Sequence, residues 1–186
     1  MWSDIRTSVR YLVGDIVQTG KDIFTYGSSD VFTLTESNVV AVVDVMVNDV
    51  GSSITYSYNE DSNKVTLGSG LSVVAGDTIE VDYTYYSNYS DTEIDGYIRS
   101  AIVHLSTHNY YDFVEKSGEI YPALEKREEN IIAAVAAVLM KPENKSYRLP
   151  DISIAGPLQS DLPIDQKVAR IIAIFKKDNS GLFFNA

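Results

Sequence analysis

The sequence predicts an α+β protein, a bundle of about four helices with a small antiparallel β-sandwich or barrel inserted between the first and second helices. Three observations predict it. Apolar residues recur at helical spacing near both ends of the chain. Between about residues 23 and 86 they alternate with polar ones, the period of half-buried strands. The charge divides at nearly the same places. From Asp22 to Glu93 twelve acidic residues face one basic residue, Lys64, so this segment alone equals the net charge of -11, and the rest of the 186-residue chain is neutral. The resulting division is a helical domain of residues 1–20 and 90–186 and an acidic β module of residues 21–89.

The first helix is expected from Ser3, a good N-cap, to Val13, with Ile5, Val9, Leu12, Val13 and Ile16 as its stripe. The strands follow as "VFTLT", "VVAVVDVMVN", "ITYSY", "KVTL" and "DTIEVDYTYY", separated by Gly-, Asn-, Asp- and Ser-rich turns. In the second of them Val39, Ala41, Val43, Val45 and Val47 share a face by strict alternation. In the last, Ile79, Val81, Tyr83 and Tyr85 oppose Thr78, Glu80, Asp82 and Thr84. Ser90-Asp91-Thr92-Glu93 then has the form of a capping box, with Tyr89 and Ile94 at the staple positions. The sheet hands over directly to a second helix, expected from Asp91 to Lys116.

A third helix is expected from near Pro122 to just before Pro142. Its stretch "IIAAVAAVLM" is apolar on every side, which requires burial on every side, with Ile131, Ile132, Val135 and Leu139 in the core. A long irregular connection precedes the fourth helix, Pro163 to Lys177, striped by Val168, Ile171, Ile172 and Phe175. The end "DNSGLFFNA" pairs a helix-terminating Gly181 with three large apolar residues, Leu182, Phe183 and Phe184.

Several chemistries lack their residues. There is no cysteine, hence no disulfide or thiolate metal site. The ten-residue apolar run is half the roughly 20 residues that cross a bilayer, so a soluble chain with no membrane partner is expected. Phosphate-cradling glycine loops and nucleophile elbows are absent. His104, His108 and Asp112 have the spacing of metal ligands on one helix face, but a polar helix edge explains them better. Asn59, Asp61 and Asn63 alternate like calcium ligands without the glycine and distal glutamate of an EF-hand, so a hairpin tip is the better reading. "EKREEN" suits the positive end of a helix dipole. The expectation is therefore no enzyme, no cofactor and no metal. The acidic segment keeps molecules apart in solution, or forms a surface that does not retain nucleic acid.

The order of elements resembles a known family. "SDTEIDGYIRSAIVHLSTHNYYDFVE", an Ala/Ile/Val-rich helix ending "LMKPE", a loop and a further amphipathic helix resemble the head-to-tail adaptor proteins of tailed bacteriophages. "VMVNDVGSSITYSYNEDSNKVTLGSGLSVVAGDTIEVDYTY" is similar to a β module that recurs in phage structural proteins, although minimal adaptors are all-helical. The resemblance implies a virion protein of the neck, assembled in the host cytoplasm as a ring, twelve-fold by family. Its partners would be the portal protein, a head-closure or tail protein and further copies of itself, and DNA would pass through the lumen without specific binding. It implies docking to portal or a neighbouring subunit through Ile171, Phe175, Leu182, Phe183 and Phe184, with Tyr147 and Leu158 beside them. Asp44, Glu60, Asp61, Glu80 and Asp82 are the acidic candidates for a channel-facing surface. The alternatives are a tail terminator or stopper, another tail structural protein, a carbohydrate-binding or decoration module on a helical base, and an enzyme using His104, His108 and Asp112.

Overall fold

The structure is a computed structural model that describes residues 2–49, 54–69, 72–116, 118–143, 147–148, 153–154 and 162–180. It is α+β, with four helices and small antiparallel sheets. The chain forms two compact units: Met1–Asp15 with Asp91–Ala186, and Ile16–Ser90. The first boundary thus falls five residues before the one expected from charge, because the first strand begins at Val17.

The helical unit contains α1 (Trp2–Val13), α2 (Asp91–Thr107), α3 (Lys126–Met140) and α4 (Ile164–Ser180). α3 packs against each of the other three. Every residue from Asn130 to Val138 is buried, as a helix with no polar face demands. Four alanines in that stretch present little bulk, which lets neighbouring helices approach closely. Leu139 is only half-buried, in the last turn, so the core residues are Ile131, Ile132 and Val135. α3 starts at Lys126, four residues after Pro122. The Glu125 N–H donates to Glu128 Oε2 at 2.6 Å, which fixes the start, and Glu128 and Glu129 occupy the first turn, where acidic groups favour the dipole.

Two helices are closed by one device, α1 at the expected Val13 and α2 well before its expected end. Gly14 has φ +72°, its N–H donates to Tyr11 O, and Asp15 N–H donates to Arg10 O. This double bond pattern closes α1, and Ile16 lies outside it, 62% exposed, not in the stripe. Asn109 repeats the pattern at the end of α2: φ is 51°, its N–H donates to Ser106 O and Tyr110 N–H donates to Leu105 O. α2 therefore stops at Thr107, nine residues before Lys116. The sequence beyond it makes a hairpin of β7 (Val114–Lys116) and β8 (Glu119–Tyr121). The expected loop before α4 contains a short pair, β9 (Tyr147–Arg148) with β10 (Ser153–Ile154).

A buried ion cluster closes the helical unit. Arg10, with 5% of its side chain exposed, bonds Asp15, whose side chain is fully buried, and reaches Asp91 at 2.7 Å. Arg6 bonds Asp91 at 3.0 Å and both oxygens of Asp95 at 2.6 Å. Asp15 and Asp91 are the residues at which the chain leaves and re-enters this unit. Lys141 Nζ donates to Val13 O at 2.6 Å, satisfying a terminal carbonyl of α1, and the buried Lys167 donates to Pro142 O.

The β unit contains β1 (Val17–Thr25), β2 (Val31–Thr33), β3 (Val39–Val47), β4 (Tyr56–Asn59), β5 (Lys64–Leu67) and β6 (Thr78–Tyr86). They form two open antiparallel sheets, β1-β6-β3 and β2-β5-β4, and among the described residues neither closes into a barrel. Phe32, Leu34, Val65 and Leu67 share one core with Val39, Val45, Ile79, Val81 and Tyr83. The alternation of β6 holds, with Ile79, Val81 and Tyr83 inward. That of β3 does not. Register shifts at Val39/Ala41 and Val42/Asp44 each insert a residue, so Val39, Val42 and Val45 pack inward while Ala41 and Val43 are exposed.

Two outcomes follow for the helical unit. Ile132→Ala, at a fully buried site on α3, is expected to cost about 2–5 kcal/mol in denaturant melts. Arg10→Met leaves Asp15 buried without its guanidinium, and is expected to cost about 3–5 kcal/mol; an unchanged midpoint would show that the cluster contributes nothing.

Candidate interaction surfaces

The outward face of the β1-β6-β3 sheet follows from its register. Lys21 and Asp44 both stand opposite Asp82, and Ile23 and Met46 both stand opposite Glu80. Because side chains alternate, these residues share the face away from Val81 and Tyr83. Of the acidic candidates, Asp44, Glu80 and Asp82 are thus brought together. Glu60 and Asp61 are not: they lie exposed in the turn joining β4 to β5, in the other sheet.

The face is less uniformly acidic than the charge count suggests. Lys21, just outside the acidic segment, bonds Glu80 and lies 3.4 Å from Asp82. Its pKa is raised, first by the hydrogen bond to Glu80; desolvation opposes the rise, and the charges of Asp82 and Glu80 add to it. Asp44 has a different situation. Its carboxylate accepts from Val45 N–H at 2.9 Å, and among the described residues no cation pairs with it.

The inward face carries a polar anchor that the sequence pattern did not single out. The Tyr83 hydroxyl donates to Asp22 Oδ2 at 3.2 Å and accepts from Glu36 N–H at 3.4 Å, while Thr35 N–H donates to the same Asp22 oxygen at 2.7 Å. Gly20 stands directly opposite Tyr83, and a Cβ there would lie 2.6 Å from the ring, so the aromatic plane covers the glycine. Burial pushes the Tyr83 pKa up to about 12; the Asp22 and Glu36 carboxylates add to the rise, and the Glu36 N–H opposes it.

The other motifs resolve into structure. Asn59 Oδ1 accepts from Ser62 N–H and hydroxyl, both at 2.9 Å. Asn63, at φ 54°, donates to Leu34 O and Glu36 O and accepts from Tyr58. These bonds build the β4–β5 hairpin tip. His104 is on α2, but His108 and Asp112 lie beyond its end, so the three do not share a helix face. No group of three or more potential metal ligands occurs among the described residues, and none of the described helices is long and apolar enough to cross a membrane.

The residues expected to dock a partner are divided. Ile171 and Phe175 are buried in the core of the helical unit, and Arg127 spans Phe175, donating to its carbonyl with its guanidinium 5.9 Å from the ring. Their apolar surface is covered by this chain itself, which removes them from any free docking face; the helical stripe that suggested a contact is the stripe that packs α4 onto α3. Tyr147 lies in β9, with its side chain outside the described set, and Leu158, Leu182, Phe183 and Phe184 lie outside the described residues. No protein-family model matches the chain, and no curated protein matches it.

The Tyr83 environment sets an alkaline limit. A tyrosine ionises near pH 10 when unfolded and near pH 12 here. Between those values the unfolded chain releases a proton that the folded chain retains, so stability falls as pH rises. The contribution is complete below pH ~10 and lost by pH ~12. Denaturant melts across that interval are expected to show a slope that is shallower in Tyr83→Phe; identical slopes would remove Tyr83 from the titration.

Proposed function

We propose that the chain is a structural protein of the neck of a tailed bacteriophage, a ring subunit that joins the portal to the tail or head-closure protein and lets DNA pass through its lumen. One observation carries this reading: the chain of a helical unit built around an enclosed α3 is interrupted between α1 and α2 by an acidic β unit with its own core. That is the element order of the adaptor-like layout in the sequence. The two open sheets, which share a core, are taken as a small sandwich of the kind found in phage structural proteins.

The charge supports a passive role toward DNA. The β unit contains ten carboxylates and two lysines. Binding to duplex DNA at physiological salt draws on Lys and Arg displacing counterions from phosphates, and this unit has little to offer. Glu60 and Asp61, in the exposed β4–β5 turn, are the acidic residues offered to such a lining, while Asp44, Glu80 and Asp82 form a separate acidic face on the β1-β6-β3 sheet. With Ile171 and Phe175 in the core, portal docking falls to Leu182, Phe183 and Phe184, with Tyr147 and Leu158 beside them.

Electron microscopy of the purified chain mixed with portal rings is expected to show an added ring that follows the portal symmetry, twelve-fold by resemblance. The same protein is expected to give no gel shift of duplex DNA at moderate salt. Binding to tail-tube ends in place of portal would replace this reading with a terminator or stopper. A salt-sensitive DNA shift would contradict the passive lumen.

A further inference from the structure

The two sheets of the β unit have their inner faces in a common core, so each leaves one face outward. We infer that these two outward faces are complementary and meet in successive copies of the chain, the β1-β6-β3 face of one copy on the β2-β5-β4 face of the next. The inference rests on the ring reading and supplies its subunit contact.

The first face carries an unsatisfied negative charge among aliphatic groups. Asp44 and Asp82 stand directly opposite each other across the ladder, and opposed like charges destabilise a sheet. Lys21 is engaged with Glu80 and Asp82, which leaves Asp44 with a backbone N–H alone. Around it Ile23, Val40 and Val43 are 64%, 51% and 63% exposed. The two register shifts lie at Val40 and Val43.

The second face carries the complement. Phe32 and Val65 point inward and are paired with each other. Their neighbours Val31, Thr33, Lys64 and Thr66 therefore face out. Lys64 is exposed, and among the described residues no acidic partner pairs with it. Val31, on the same face and opposite Thr66, is 43% exposed. The other side chains at the paired positions of this face, Thr33, Ser57, Asn59 and Thr66, are short, which suits close approach of another sheet. One copy thus offers a cation and a valine where the other offers paired carboxylates and two valines.

Electrostatics selects this arrangement over its rivals. Contact between two copies of the first face sets Asp44 and Asp82 against their own equivalents. Extension of the ladder at β3 is hindered by its two register shifts and by Tyr56, whose hydroxyl donates to Val42 O at 3.1 Å. Two different faces meeting head to tail form a heterologous contact, the kind that closes rings when its rotation permits.

The test is a charge exchange in the full chain, Asp44→Lys, Lys64→Asp and the double variant, read by sedimentation velocity over a concentration series. Each single change is expected to weaken self-association by about tenfold, with most of it regained in the double variant. Asp44→Lys also lowers the net negative charge, so a general charge effect would strengthen association and overturn the inference. A wild-type chain that stays monomeric, or single variants that associate normally, would overturn it as well. Circular dichroism checks folding, and Asp44→Asn with Lys64→Gln gives milder variants expected to weaken association in the same direction. Portal binding by the same proteins separates the two claims. Self-association through these faces without portal binding removes the neck reading alone. Portal binding unaffected by variants that associate normally removes the face contact alone.

Discussion

A nine-residue stretch with almost no polar side chain governs the helical unit. From Asn130 to Val138 every residue of α3 is buried, and such a helix is stable only when surrounded. α1, α2 and α4 supply the surround, each packing against α3. The apolar stripes of those helices exist to meet it: Ile5 and Val9, Ile98 and Leu105, Ile171 and Phe175 are all buried. Full burial also restricts how α3 ends. Its N-terminus is closed by Glu125 and Glu128, and the cation just past its C-terminus, Lys141, serves the end of α1.

The interruption between α1 and α2 is tolerated because the helical unit holds both cut ends. Arg10 binds Asp15 and Asp91 together, and Arg6 adds Asp91 and Asp95. The acids accompany the chain at the points of exit and return, while the arginines belong to α1. The β unit in turn has its own core, in which Tyr83 lies over Gly20 and is tied to Asp22 and Glu36. Each unit thus contains the interactions it needs, which is the physical content of an inserted module.

Period and charge revealed the elements that obey simple repetition. The all-apolar α3, the stripe of α4 and the alternation of β6 are visible because each residue's environment follows from its spacing. Helix ends were less visible. The residue that stops α2 is Asn109 at positive φ, and asparagine adopts that conformation less regularly than glycine does. Phe113 is buried in any case, so the apolar pattern runs past the true end. The faces of β3 were hidden for a different reason: an all-valine run contains no contrast from which a bulge could be inferred. Long-range pairs were invisible too. Nothing local links Lys21 to Glu80 or Arg10 to Asp91. Among the candidate site residues, Asp44, Glu80 and Asp82 were brought together by strand register. Ile171 and Phe175 were misassigned because a core stripe and a docking stripe have the same spacing.

Two separately cored units, one organised by α3 and one by β6, are the basis for reading the chain as a ring subunit with a plugged-in module. Native-state hydrogen exchange followed by mass spectrometry measures this directly, in the full chain and in a variant with a weakened α3. Two protected regions are predicted, one over residues 131–138 and one over residues 79–83, and weakening α3 should speed exchange in the first while leaving the second unchanged. Loss of protection in both together, or fast exchange across α3 in the unaltered chain, would contradict it.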